Sequence, residues 1–146
     1  MPTTSSPAVA TSRTAPAPTR LVVYGRHQSG VLLAAFTLSA GHTVYAWAAG
    51  IEDPTFTVTT PLTWVFYAVA FAMARLAGRP ARWSQATVLA YLTALLGISI
   101  FYYPTTFGPA QQTTFGWFEN DVYVGLLLTA AYLGVQRLRG VTLRDG

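Results

Sequence analysis

The 146-residue chain has no cysteine, which removes disulfides, thiolate metal sites, iron–sulfur clusters and cysteine nucleophiles together. It has no lysine either: all nine basic residues are arginines, set against five acids and two histidines. Charged residues make up 10% of the chain, where an ordinary soluble domain carries about a quarter. A Gly-rich phosphate loop, a serine elbow and His-rich or Cys-rich tracts are absent, so the common signatures of nucleotide, hydrolase and metal chemistry are missing. What is abundant is apolar, with 52% hydrophobic residues. That balance makes the bilayer the expected solvent. A net charge of +4 would ordinarily suggest nucleic acid, but the arginines sit in a few short segments, and no nucleic-acid partner is expected.

The apolar residues fall into four stretches. Residues 1 to 28 begin "MPTTSSPAVATSRTAPAPTR", poor in large apolar groups, and are expected to form a flexible basic tail. From Ser29 to Ile51 no formal charge occurs. At about 1.5 Å per residue a helix of that length crosses the roughly 30 Å of hydrocarbon. A second span is expected at about 61 to 78, with Pro61 in its first turn. The third is placed at about 84 to 103, ahead of "PTTFGPAQQTTFGWF", whose Pro, Gly, Thr and Gln read as loop. The fourth runs from about 118 to 136, starting among acids that belong near an interface. The expected fold is an all-α integral membrane protein, a four-helix domain over 29 to 139 followed by a short tail, 140 to 146.

Charge placement checks that count independently. Arg13, Arg20 and Arg26 precede span one, Arg75, Arg79 and Arg82 lie between spans two and three, and Arg137, Arg139 and Arg144 follow span four. Glu52, Asp53, Glu119 and Asp121 occupy the opposite loops, and only Asp145 joins the arginines. The positive-inside rule then puts both termini in the cytoplasm, with Arg26, Arg75, Arg79, Arg82, Arg137 and Arg139 at the lipid headgroups of a cell membrane. Tyr and Trp cluster toward the acidic ends of the spans, as an interfacial belt would. A cleaved signal peptide ending near Ala46 and Ala48 is the rival for span one. It would leave an odd number of spans and break the alternation of charge.

Close approach of helices in lipid depends on small residues. Span one offers Ala35, Ser39 and Thr43, and span two Ala68 and Ala72. Span three has Ala90, Thr93, Ala94 and Gly97, and span four has Gly125, Thr129, Ala130 and Gly134. Such ladders serve a compact bundle or a docked partner. His42 is the ionisable residue well inside a span, roughly 13 Å below its acidic end. It is a structural hydrogen-bonding residue, or else a ligand or proton carrier. With Glu52, Asp53, Glu119 and Asp121 it forms the candidate set for a metal site, although no ligand spacing is fixed. No span carries the paired charges of a proton-coupled transporter, and no catalytic residue is assigned.

The exit of span one, Val44, Tyr45, Trp47, Ala49 and Gly50 followed by Ile51, Glu52 and Asp53, resembles a segment of the C-type subunit of copper membrane monooxygenases, the particulate methane, ammonia and hydrocarbon oxidisers. "PTFTVTTPLTWVFY" then occupies the place of that family's external segment, with Thr63 and Trp64 at its aromatic pair. The resemblance covers about residues 30 to 75. The family's copper ligands, an Asp-x-x-x-His and a further His in a later span, have no counterpart, because no histidine follows His42. The resemblance implies a non-catalytic accessory subunit of a membrane oxidoreductase complex, partnered by other integral membrane subunits and by lipid. It holds no cofactor itself, and any copper belongs to the partner subunits. The alternatives are a small homo-oligomeric channel or transporter using His42 and the outer acids, and a membrane enzyme or metal-binding protein using the same residues.

Overall fold

Helix α1 (Arg20–Ala49) is the longest element, followed by α2 (Pro61–Ala77) and α3 (Arg82–Gly97). A π-helical turn (Ile98–Tyr102) and the short α4 (Tyr103–Thr106) continue α3, and α5 (Thr114–Leu138) completes the chain. The computed structural model describes residues 20–53, 56–106 and 113–140. Of the expected tails over 1 to 28 and 140 to 146, residues 1 to 19 and 141 to 146, with Arg13, Arg144 and Asp145, lie outside the described residues. Helix α1 starts at Arg20 rather than at Ser29, so residues 20 to 28 are helical and not part of a tail.

Local chemistry sets each boundary. Gly50 takes a left-handed backbone, φ 67°. Its amide bonds to Trp47 O at 3.2 Å and the Ile51 amide to Ala46 O at 3.0 Å, a pairing that closes a helix end and favours glycine. Pro61 sits in the first turn of α2, where its missing N–H costs nothing. Thr113 caps α5, its Oγ1 accepting from Gly116 N at 3.0 Å. Pro104 explains the π turn. Its ring collides with a carbonyl four residues back in a regular helix, and the turn before it widens so that the Tyr103 amide reaches Ile98 O.

The four long helices form an up-down-up-down ring in the order α1, α2, α3, α5. Helix α1 packs on α2 and α5, and α3 closes the ring against the same two helices. The core centres on Phe36, fully buried, with its ring 6.3 Å from Phe71, 6.4 Å from Tyr91 and 6.5 Å from Tyr123. Leu32, Ala35, Val88, Leu92 and Leu127 fill the space around it. Helix α2 turns Thr63, Tyr67, Ala70, Ala74 and Ala77 inward. Ala68 and Ala72, the expected packing pair, face outward.

Around this apolar core several polar side chains are buried as well, and many large apolar ones are exposed. Gln28, Thr63, Ser84, Gln85, Glu119, Asn120 and Arg137 are buried, while Leu62, Val65, Phe101, Phe118, Leu128 and Tyr132 are exposed. Two helical stretches, Gly25–Ala49 and Arg82–Thr105, are long and apolar enough to cross a membrane.

At one end of the ring lies a polar knot. Arg137 donates to Ala77 O, to Arg79 O at 2.9 Å and to Gln28 Oε1 at 2.8 Å, while Gln28 donates to Ala130 O at 3.0 Å. The guanidinium thereby satisfies carbonyls at the C-terminal end of α2, where the helix dipole favours a cation. Arg137, expected at the headgroups, is only 4% exposed, whereas Arg26, Arg75, Arg79, Arg82 and Arg139 are exposed at the same end. Gly25 makes room for this arginine: a Cβ there would lie 2.9 Å from Nη2.

Candidate functional site at the acidic end of the bundle

The opposite end of the ring holds a cavity of about 510 Å³, with a side chamber of about 50 Å³. His42, Thr43, Asp53, Phe56, Tyr103 and Glu119 line both. Each reaches the cavity from a different device. His42 and Thr43 come from the last turns of α1, Asp53 and Phe56 from a tight turn closed by Phe56 N to Asp53 O at 3.0 Å, and Glu119 from the second turn of α5. Tyr103 follows directly on the π turn, which also supplies Ile98, Ser99 and Tyr102 to the wall. Widened turns of this kind recur at functional sites because they re-aim side chains.

The walls are held by their own bonds. Tyr67 Oη lies 2.7 Å from Thr43 Oγ1 and 3.2 Å from Ser39 Oγ, and Thr43 Oγ1 donates to Ser39 O at 3.1 Å. Since Thr43 spends its hydrogen on Ser39 O, Tyr67 donates to Thr43 and accepts from Ser39. Each hydroxyl in the chain then has its proton placed. Phe56 packs edge-on against Phe66 at 5.5 Å and Tyr67 at 6.0 Å, which holds its ring over α2. Trp64 Nε1 donates to Val58 O at 2.8 Å and ties that residue to α2 from outside.

His42 is packed rather than bonded. Its ring stacks on Phe115 at 6.1 Å with 22° between planes, and Tyr45 completes the cluster, 5.2 Å from Phe115. Its Nδ1 is buried without a hydrogen bond and stands 3.8 Å from Glu119 Oε2, too far for one. Glu119 itself is 7% exposed. A carboxyl kept out of water at that depth is costly unless a proton or a cation neutralises it. The floor is aromatic: Tyr123 lines the cavity and packs on Phe36, so the cavity is blind toward the arginine end.

Of the candidate set, His42, Asp53 and Glu119 share the cavity, while Glu52 does not line it and Asp121 faces outward. Among the described residues no group of three or more His, Cys, Asp or Glu side chains is placed to hold a metal ion. Of the packing residues, Ala35 and Thr43 are buried and Ser39 is half-buried. Gly97 is half-buried, and Gly125 and Thr129 face outward with Ala90, Thr93 and Ala94. Sequence reasoning did not single out Phe56, Ser99, Tyr103 or Asn120 as lining residues. For Ser99 and Tyr103 the signal was Pro104, whose effect on the preceding turn brings them to the cavity; Phe56 and Asn120 had none. The chain matches no protein family, no curated protein and no solved structure, so the likeness of residues 30 to 75 to a monooxygenase subunit rests on those residues alone.

Proposed function

We propose that the chain spans a cell membrane four times with both termini cytoplasmic, and that it works as a non-catalytic subunit of a larger membrane complex. Two features support the four-span reading. Buried glutamine, glutamate, asparagine and arginine with exposed leucine, valine and phenylalanine is the distribution that suits lipid outside the ring. The exposed arginines and the cavity acids also fall at opposite ends.

The subunit role rests on one observation: part of each small-residue ladder of α2, α3 and α5 is turned away from the bundle, while Ala130 and Gly134 of α5 turn inward and Gly97 of α3 is half-buried. Ala68 and Ala72, Ala90 and Ala94, and Gly125 and Thr129 all face outward, and a Cβ on Gly125 would meet nothing within 4 Å. In lipid such faces admit another helix at close range, which is the contact a partner subunit makes. An oxidoreductase partner carrying copper is the version the span-one exit suggests. Purification of the full chain from its native membrane in mild detergent tests this. Co-elution of integral membrane partners, with copper or haem measured in the fraction, supports it, and a chain recovered alone as one monodisperse species refutes it.

A second reading is favoured by the meeting of His42, Asp53 and Glu119 at one cavity. Several copies of the chain then form a small channel or transporter. Flux through liposomes containing the chain, lost in His42→Ala, supports this version, and flux equal in the two proteins refutes it.

A further inference from the structure

The cavity at the acidic end is built for one chemistry more than any other. Glu119 is more than nine-tenths buried and lines it, with His42 Nδ1 standing 3.8 Å from its Oε2. Asp53 shares the same space. No basic side chain other than His42 is available, because the sequence has no arginine between Arg26 and Arg75 or between Arg82 and Arg137. His42 is therefore the basic group the chain itself places beside this carboxylate, and the rest of the cavity leaves room for a cation from outside. Phe56, Phe66 and Tyr103 supply aromatic surface around the same space, and Leu95 and Ile98 supply aliphatic surface. Aromatic faces attract cations, more so where water is scarce. The volume of about 510 Å³ falls within the ~300–1,000 Å³ of small-molecule sites and far exceeds a bare ion.

We propose that this cavity binds a small organic cation, a protonated amine carried on an apolar body, with its ammonium group on Glu119 and its body against Phe56, Phe66 and Leu95. The inference rests on the cavity alone and holds whether the chain serves as a subunit or as a transporter.

Three probes of equal shape and different charge test it: 4-phenylbutylamine, 4-phenylbutanol and 4-phenylbutyrate. Each is titrated calorimetrically into the full chain in zwitterionic lipid nanodiscs, with protein-free nanodiscs as reference. The amine is expected to bind saturably and at least about tenfold more tightly than the alcohol, with the carboxylate weakest. Glu119→Gln is expected to bring amine and alcohol within about twofold of each other, and Phe56→Ala to weaken the amine. The proposal is overturned if the amine shows no saturable binding beyond protein-free nanodiscs, if the alcohol or the carboxylate binds as tightly, or if Glu119→Gln keeps the amine preference. Should Glu119→Gln fail to fold, the ranking of the three probes on the unmodified chain decides.

Discussion

Replacing Arg137 with alanine removes one side chain and strands three acceptors. Ala77 O, Arg79 O and Gln28 Oε1 lose their donor, at a position only 4% exposed. A buried acceptor left without a partner costs about 1–3 kcal/mol. Gly78 and Arg79 are exposed, so water reaches part of this site and the lower end of the range applies. The expected loss is about 3 kcal/mol, a fall of roughly 10 °C in Tm for a chain of this size. Thermal unfolding of the detergent-solubilised chain, followed by circular dichroism, reads it directly. Arg137→Lys keeps the charge but not the fork that reaches three acceptors, and recovers about half of the loss. Arg139→Ala, at an exposed neighbour of equal charge, stays within about 0.5 kcal/mol of the parent. If Arg137→Ala unfolds at the temperature of Arg139→Ala, the knot does not hold the bundle together and the account of that end fails.

Other perturbations bear on separate parts of the structure. Gly134→Ala places a Cβ 2.6 Å from Gln28 Nε2 and 3.0 Å from Leu89 Cδ2, and is expected to cost about 1–3 kcal/mol in the same melt, while Gly125→Ala is expected to leave Tm unchanged. Tyr67→Phe removes the link between Thr43 and Ser39 and should lower stability by about 1 kcal/mol; a melt indistinguishable from the parent would show that the hydroxyl chain contributes nothing. The absence of native cysteine makes topology measurable with single substitutions. In intact cells a membrane-impermeant maleimide should label Asp121→Cys and not Arg79→Cys, and the reverse pattern, or labelling of both, refutes four spans with cytoplasmic ends.

The positions of the long helices were legible because formal charge is so sparse that its gaps mark them. The inward faces were harder. Alanine stands at 68, 70, 72, 74 and 77 of α2, so more than one ladder can be drawn along the same helix. Thr63 and Tyr67 decide between them, since both are polar and need partners, and they share a face with Ala70, Ala74 and Ala77. Arg137 was misjudged for a related reason. Position along the chain distinguishes ends of a span and not sides of a helix, and its burial depends on Gly25 and on the end of α2, far away in sequence. His42 was legible as an unusual residue, but its neighbours were not. Counted along α1 it lies well below Asp53, yet the turn from Asp53 to Phe56 brings that segment back to the cavity, and Glu119 arrives from a different helix.

The knot between Gln28 and Arg137 also bears on the order in which the molecule can be made. The two residues are 109 positions apart, and Gln28 Nε2 reaches Ala130 across a separation of 102. A ribosome delivers the first three helices before the residue that unites their ends has been synthesised. Until α5 follows, Gln28 and the last carbonyls of α2 lack the donors and acceptors that α5 supplies, so the ring of helices is not yet closed. Closure is an act of the final helix, and chains cut short before Arg137 should be the ones that quality-control proteases find first.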